Sequence, residues 1–468
     1  MSASARPGLT VFSTLRLGLF QACLGCLAVV FTGMFNRIMI SELGFPGLLV
    51  GGALAFEQFV APARVLFGQM SDRHPLAGRR RVPYVLLGAA LFCLLAVVAV
   101  PLIFHVGTIL STGEQPRVAI AIAALCGLFA LYGLSISLAS TPYLALVIDR
   151  TSEAERPRAV GLIWCMLTVG IVVGAIAISI SLRSLDGVSD PAVLQPVLMR
   201  FMATLAIIVF ALTVVATWGM ERPREPRASM AGQASSRDDS VTLRQSWALI
   251  TSSRQVLIFF GFLILFTLGL FLQDPILESY GAQVFGMPIA ATAQLNAFWG
   301  IGTLVGLLVA GLWIVPRLGK LPTARLGCQL IAGSLLLLLL SGLSRSVPLL
   351  QLVMLLFGLS AGVGTNSALC LMLDLTLPEA AGTFVGVWGL AQALSRALGK
   401  VLGGGLFDLG QALPLPFGPG PYPAFALVLL VELFITLGAL ALLERVNVHR
   451  FRQDTGRSLE RVLALEIG

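Results

Sequence analysis

Apolar residues along this chain fall into long runs separated by short polar segments, and this alternation predicts its secondary structure. A helix needs about 20 residues to cross the ~30 Å hydrocarbon core of a bilayer. Twelve apolar runs of about that length or longer are present, and we number them spans 1 to 12. They cover residues 12–36, 47–70, 83–105, 118–147, 159–182, 197–219, 255–280, 289–313, 323–343, 347–373, 383–407 and 422–443. The pattern predicts an all-α polytopic membrane protein.

One long polar stretch, residues 220–254, divides the spans into two sets of six. Residues 149–161, after span 4, align without gaps with residues 374–386, after span 10, with Asp, Thr, Val and Gly at matching places. A repeat of six plus six spans is the architecture of major facilitator transporters, whose binding sites lie between the halves. We therefore predict a major facilitator fold with two pseudo-symmetric six-helix bundles. The predicted parts are a first bundle at 1–219, a cytoplasmic linker at 220–254, a second bundle at 255–443 and a cytoplasmic tail at 444–468.

Composition and charge agree with this interpretation. The chain is 57% hydrophobic and 12% charged, about half the charge of a soluble domain. Its net charge of +8 does not predict a nucleic-acid partner, because the basic residues lie in short loops and build no continuous basic face. With the N-terminus inside, 23 of the 31 Lys and Arg residues fall on the cytoplasmic side, which predicts both termini in the cytoplasm.

The sequence carries no pattern typical of an enzyme. It lacks a phosphate-binding G-x-x-x-x-G-K-[ST] motif and a hydrolytic constellation. Its three histidines, His74, His105 and His449, are too dispersed for a metal site. The seven cysteines all lie in apolar runs, where they are typical small hydrophobes. We predict neither a catalytic residue nor a resident metal.

Ionisable side chains inside the spans are the candidate functional residues, because burying charge in a membrane is costly and such residues mark functional sites. Asp274 and Glu278 lie four positions apart on one face of span 7, with Asp274 in its outer half and Glu278 close to the external surface. The resemblance to the facilitator fold implies that spans 2 and 11 pack together, which would bring Glu57 near Arg396 or Lys400. It likewise implies that spans 1 and 7 face each other, which would bring Asn36 and Arg37 toward Asp274 and Glu278. The candidates for ligand contact or gating are Asn36, Arg37, Glu57, Gln273, Asp274, Glu278, Asn296, Asn366, Arg396, Lys400 and Glu432.

These pairs have two readings that the residues leave open. They could break and form as the halves rock against each other, since a switch needs contacts that differ between two states. They could equally be static pairs that only allow charge to be buried. A proton-coupled cycle would need a buried carboxylate, and Glu57, Asp274 and Glu432 all qualify by position.

The segment GQMSDRHPLAGRRR, residues 68–81, resembles the facilitator signature G-x-x-x-D-R-x-G-R-R, with HPLA inserted before the glycine. Its glycine allows close helix approach, and its charges could form a network that locks one conformation. The residues that match the signature are Gly68, Asp72, Arg73, Gly78, Arg79 and Arg80. In the second half Val315 stands at the position that corresponds to Asp72. Only the first copy of the segment can therefore form the complete charge network.

Three segments together resemble the PucC/LhaA family, the bacteriochlorophyll-delivery branch of the major facilitator superfamily. They are FNRIMISELG at 35–44, SDRHPLAGRRRVPY at 71–84 and LQDPILESYGAQVFGM at 272–287. The resemblance implies a multi-pass protein of the bacterial photosynthetic, intracytoplasmic membrane. It implies a role in assembling light-harvesting complexes by binding and delivering bacteriochlorophyll. Antenna polypeptides and bacteriochlorophyll synthase are the implied partners, besides membrane lipid, and the likeness leans to LhaA.

The resemblance also sets expectations for single residues. The pigment's magnesium takes an imidazole or oxygen ligand, and no histidine lies at mid-membrane. The available oxygen donors are Asn36, Glu57, Gln273, Asp274, Asn296, Asn366 and Glu432, besides backbone carbonyls and water. Pro275 stands where the family has an apolar β-branched residue, which predicts a kink just after Asp274.

Two functional classes remain open. A transporter or flippase would alternate access, whether for bacteriochlorophyll or, as a proton-coupled facilitator, for another hydrophobic small molecule. An assembly factor would instead hold antenna polypeptides on its outer face, with Glu432 and the loop 411–423 as contact points.

Overall fold

The computed structural model describes residues 10–76, 78–113, 115–151, 156–185, 188, 190–221, 254–374, 381–413 and 420–447. Within these ranges the chain is helical, apart from turns and one isolated bridge between Leu76 and Arg79. Spans 1 to 6 are Val11–Glu42, Gly47–Phe59 with Ala63–Arg73, Val82–Thr112, Gln115–Arg150, Arg156–Ser181 and Pro191–Thr217. Spans 7 to 12 are Arg254–Phe271 with Leu277–Phe285, Ile289–Leu318, Lys320–Ser344, Val347–Asp374, Ala381–Ala412 and Tyr422–Leu443.

Of the helices that the structure describes, nine are long and apolar enough to cross a membrane unaided. Spans 2 and 7 are each divided into two helical segments, and span 11 carries Arg396, Lys400 and Asp408. Pro62 lies in the turn that divides span 2, where its missing N–H cannot continue the helical ladder. The spans that depart from an uninterrupted apolar helix are thus those that bear most of the candidate residues.

Packing between spans repeats across the two halves. In the first half span 1 packs on 5, span 3 on 4 and 6, and span 2 on 4. In the second half span 7 packs on 11, span 9 on 10 and 12, and span 8 on 10. Each of these contacts in the first half has its counterpart six spans later, which is the pseudo-symmetry that the sequence predicts. The predicted linker lies outside the described residues apart from its first two and its last, so the domain boundaries stay predictions.

The two halves meet through spans 2 and 11 and through spans 5 and 8. At the first contact the backbones touch. A Cβ added to Gly404 would collide with the carbonyl oxygen of Gly47, and a Cβ on Gly51 would collide with that of Lys400. Small residues permit this close approach, as they do between packed membrane helices generally. The contact lies at the end of the molecule where span 1 meets span 2, which we call the outer end.

Candidate functional site

Span 7 is interrupted between Phe271 and Leu277, and the kink predicted just after Asp274 is confirmed. Pro275 lies in the interruption, which we call the span 7 break. Asn36, near the end of span 1, donates from Nδ2 to the main-chain oxygen of Asp274 at 3.0 Å. This hydrogen bond joins the break directly to the other half of the protein.

Arg37 forms the first contact that closes the outer end. Its Nη1 donates to Oγ1 of Thr292 on span 8 at 2.6 Å, and its Nη2 pairs with Glu42 at 3.3 Å. Span 1 is a π-helix over Ile38–Glu42. Because π-helical turns align residues five apart, Glu42 comes to lie on the face of Arg37. The side chain of Arg37 therefore links both halves while its charge is balanced within span 1.

Glu278 forms the second contact. It accepts a hydrogen bond from Nδ2 of Asn296 on span 8, and Gly33 of span 1 lies so close that an added Cβ would collide with the carboxylate. The charge of Arg37 also lies within electrostatic reach of Glu278. Arg37, Glu42, Glu278, Thr292 and Asn296 together form what we call the outer gate.

Two details of this region differ from the sequence-based expectation. Arg37 lies within electrostatic reach of Glu278, as expected, but forms its ion pair with Glu42 and contacts Thr292. Glu278, expected near the external surface, belongs to the outer gate but is only 2% exposed, whereas Asp274 is partly exposed. The physical reason is the break, because Glu278 starts a new helical segment that packs inward against spans 1 and 8.

A cluster of opposite charges lies below the outer gate, between the halves. Asp274 lies within electrostatic reach of Lys400 and Arg396 on span 11, and Arg396 is in reach of Glu57 on span 2 as well. Arg64 adds a second guanidinium near Glu57. We call these five residues the central cluster. The structure thus places Glu57 and Arg396 within electrostatic reach of each other, although the two described side chains form no ion pair within 4.0 Å.

The surroundings of Arg396 are amphiphilic. Its guanidinium carbon lies 4.4 Å from the ring centroid of Phe271, the last residue before the span 7 break. The side chains of Arg396 and Arg64 are exposed and that of Glu57 is partly exposed, whereas Lys400 is buried. An aromatic face, exposed cations and a carboxylate therefore share one accessible region.

Asp408 on span 11 closes the outer end at a further point. Its two carboxylate oxygens accept hydrogen bonds from the backbone N–H groups of Gly47 and Leu48 at 2.6 and 2.7 Å. These groups open span 2, where a helix has unpaired donors and a partial positive charge. A side chain of the second half therefore caps a helix of the first.

Three predicted candidates lie away from this interface. Asn366 donates to the main-chain oxygen of Leu307 at 3.2 Å, between spans 10 and 8 of one half. Gln273 and Glu432 are buried where span 12 packs on the break. The suggestion that Glu432 contacts a partner on the outer face is wrong, because its side chain is 0% exposed. Of the loop 411–423, residues 414–419 lie outside the described residues.

The facilitator-like segment forms a network at the opposite, inner end, centred on Arg81. Arg81 pairs with Asp149 at 3.3 Å and donates to Oγ of Ser71 at 2.7 Å. Glu221, just after span 6, accepts the backbone N–H groups of Arg80, Arg81 and Val82 and so caps span 3. These bonds join residues of the first half to one another and to Glu221, the second residue of the predicted linker.

Four of the six residues matched to the signature are described in full by the structure, namely Gly68, Gly78, Arg79 and Arg80. A Cβ on Gly68 would lie 3.4 Å from the Cγ2 atom of Thr141, so span 2 does pass close to span 4 there. Gly78 has a φ of +72° and Arg79 pairs its backbone with Leu76. The side chains of Asp72 and Arg73 lie outside the described residues, and the roles proposed for them stay predictions.

Sequence reasoning missed several residues of the site. Those at the outer end are Glu42, Thr292 and Asp408, and those at the inner end are Ser71, Arg81, Asp149 and Glu221. Asp408 carried a usable signal, since it is a carboxylate near the end of span 11 and span 2 begins directly after Pro46 with unpaired N–H groups. The pairing of Arg37 with Glu42 had no such signal in the sequence, because a π-helical turn is not visible in the apolar pattern.

A family model described as PUCC protein matches residues 34–451. The chain belongs to the PUCC family. It is 32% identical to Protein PucC of Rhodovulum sulfidophilum, covering 86% of each chain. It is 31% identical to a protein of Rhodobacter capsulatus described as an uncharacterized protein in the puhA-bchM intergenic region, covering 94% of this chain and 91% of the other. A third relative, again 31% identical, is named the bacteriochlorophyll synthase 44.5 kDa chain of Rhodobacter capsulatus, with 91% and 95% covered.

Solved structures place this PUCC-family chain in the major facilitator fold. A bacterial homologue of the lysosomal transporter Spinster aligns over 94% of this chain and 96% of its own, with a TM-score of 0.64 at 14% identity. A D-xylose-proton symporter aligns over 91% and 97%, with a TM-score of 0.62 at 15% identity. At these identities the likeness shows the fold alone, and the fold predicted from the sequence is confirmed.

Proposed function

We propose that this PUCC-family protein binds bacteriochlorophyll between its two halves and delivers it to light-harvesting polypeptides in the photosynthetic membrane. Family membership and a relative named for bacteriochlorophyll synthase support the choice of pigment. The fold supports carriage, because binding sites of such proteins lie near mid-membrane between the halves. The protein would act without catalysing a reaction.

The observation that carries the proposal is the central cluster beneath a closed outer gate. The ring and tail of bacteriochlorophyll need apolar surface, and its magnesium and carbonyl groups need polar partners. Phe271 and Arg396 offer an aromatic face beside a donor, and both belong to the region between the halves.

The structure narrows the choice of a magnesium ligand. Asn36 is fully buried, Asn296 donates to Glu278 in the outer gate, and Asn366 lies between spans 8 and 10 of the second half. Gln273 and Glu432 are buried away from the interface. Glu57 and Asp274 are the partly exposed carboxylates of the central cluster, and Glu57 lies on the first half, opposite Phe271 and Arg396. We therefore propose Glu57 as the oxygen donor for bound pigment.

A proton-coupled facilitator of another hydrophobic small molecule is the second candidate. The specific observation in its favour is the fold shared with solved transporters, together with charged groups that link both halves. Such a protein would bind its solute at the same cluster. It would not copurify with pigment or with antenna polypeptides.

Affinity purification from photosynthetic cells in mild detergent separates these functions. Bound bacteriochlorophyll without antenna subunits supports carriage, and antenna subunits without pigment support a scaffold that only holds the polypeptides. Pigment synthase in the same eluate would identify the proposed supplier. If neither pigment nor any of these proteins is retained, the proposal fails and the second candidate takes its place.

Localisation and client are part of the same proposal. We propose an intracytoplasmic photosynthetic membrane with both termini in the cytoplasm, and reporter fusions at each end of the chain test the topology. The lean toward a core-antenna, LhaA-like client stays a prediction, because identities of 31% and 32% do not separate the relatives. Deleting the gene and measuring which antenna band is lost decides between core and peripheral clients.

A further inference from the structure

Glu432 on span 12 is a carboxyl group in an unusual position. Its side chain is 0% exposed, and within the described part of the chain neither of its oxygens has a hydrogen-bond partner. A buried charge is tolerated only when it is paired or hydrogen-bonded. The position is therefore suited to a neutral carboxylic acid and unsuited to a carboxylate.

The charges around Glu432 support a neutral state. Span 12 packs against spans 7, 9 and 11. Among the described residues, the charged group within electrostatic reach of Glu432 is Asp274 on span 7, which is itself an anion. On span 11, Arg396 and Lys400 are in reach of Asp274, and Asp408 caps span 2. On span 9, Lys320 and Arg325 lie near its inner end, and Cys328 is buried.

We propose that Glu432 is a proton-binding site whose occupancy controls the span 7 break and, through it, the outer gate. The backbone N–H groups of Leu272 and Gln273 face the carboxyl group. The N–H of Leu272 donates instead to the main-chain oxygen of Leu268 at 3.0 Å, and neither N–H forms a hydrogen bond with Glu432. When the O–H bond of Glu432 releases its proton to water, the carboxylate becomes a strong acceptor for these donors. The break then rearranges to supply them.

The break transmits this change because it is bonded to the other half. Gln273 precedes Asp274, whose main-chain oxygen accepts the hydrogen bond from Asn36 on span 1. Below the break, Oγ1 of Thr436 donates to the main-chain oxygen of Gly269 at 3.3 Å, which keeps span 12 against the intact part of span 7. Movement is thereby confined to residues 272–276. A proton on Glu432 favours the closed outer end, and its loss favours opening.

Infrared difference spectroscopy tests directly whether Glu432 is protonated. Wild-type protein in lipid should show the carbonyl band of a protonated, dry carboxylic acid near neutral pH, and Glu432→Gln should lack it. Glu432→Asp should retain a shifted band, which keeps the test decisive if the glutamine variant folds poorly. A wild-type spectrum without this band, or a band unchanged in both variants, overturns the proposal.

A distance measurement tests the coupling. Spin labels at Ser111→Cys and Ser344→Cys report the separation of the outer ends of spans 3 and 9, with Cys126, Cys165 and Cys370 replaced by alanine. The wild-type distance distribution should shift to longer values between about pH 5 and pH 9, and Glu432→Gln should hold the short distances at both. Glu444→Gln, an exposed substitution at the end of the same span, should keep the wild-type response. A pH-independent wild type, or a pH response that survives in Glu432→Gln, contradicts the coupling whether or not the protein binds pigment.

Discussion

The carboxylate of Asp408 bonds both backbone N–H groups of Gly47 and Leu48, so one acidic side chain of the second half caps a helix of the first. The two residues that cap and begin span 2 are more than 350 positions apart in sequence. Because this contact joins the halves only where their outer ends meet, it belongs to one conformation of the protein. An outward-open state must break it.

Asp408→Ala should therefore favour the open outer end. Losing a helix cap costs about 0.5–2 kcal/mol, and here that cost falls on the closed state alone. The spin-label pair at Ser111 and Ser344 should show a larger long-distance population. Asp190→Ala is the matched control, because Asp190 caps span 6 within one half by accepting the N–H of Ala192. Equal distance distributions for both variants would argue against Asp408 as a conformational contact.

Gly51→Ala should prevent close contact between spans 2 and 11. An added Cβ would collide with the carbonyl oxygen of Lys400, and backbone atoms cannot yield as a flexible side chain can. Gly52→Ala is the control on the adjacent position, since nothing lies within 4 Å of its added Cβ. We expect Gly51→Ala to lower the melting temperature or open the outer end, and Gly52→Ala to do neither. A thermal melt and the same label pair measure both effects.

Asn296→Leu should destabilise the protein by leaving the buried Glu278 without its donor. An unsatisfied buried polar group costs about 1–3 kcal/mol, and more when it is charged. Adding Glu278→Gln to Asn296→Leu should recover part of the loss, because the neutral amide costs less to bury. Asn366→Leu, which removes a hydrogen bond inside one half, should reduce melting temperature without this rescue. Rescue that is absent, or that occurs equally in the Asn366 background, would contradict the assigned pairing.

Glu221→Ala should weaken the start of span 3 at the inner end, because three N–H groups lose their acceptor. We expect a loss of about 0.5–2 kcal/mol, as for other helix caps. Arg81→Gln should cost less, since its partner Asp149 is exposed and water screens the pair. Chemical denaturation in detergent shows which of the two variants loses more stability. The reverse order would show that the Arg81 pair, and not the cap, holds this end together.

Much of the fold was predictable, because a span of about 20 apolar residues is a property of the local sequence. The order of the spans, the repeat and the kink at Pro275 all follow from such patterns. The partners of Arg37 and Glu278 could not be predicted from such patterns, because they depend on a π-helical turn and on a break that turns a helix inward. Pattern and length give the direction of an ideal helix, and these two sites lie where the helix departs from it.

The central cluster was predictable only in part. Charged residues inside spans 2, 7 and 11 marked Glu57, Asp274 and Arg396 as candidates, and pseudo-symmetry brought them to one interface. Glu432 looked equivalent to them in sequence, since it too is a carboxylate in an apolar span. Only three-dimensional packing separates a carboxyl group between the halves from one enclosed within the second half.

Titration of bacteriochlorophyll into the purified protein tests the central claim most directly, with the shift of the pigment's absorption band as the readout. We predict saturable binding to wild type, binding at least tenfold weaker to Arg396→Gln and to Glu57→Gln, and unchanged binding to Arg200→Gln, which alters an exposed arginine outside the cluster. Saturable binding that both cluster variants retain would contradict the site between the halves. The absence of any saturable shift in wild type would contradict bacteriochlorophyll as the ligand.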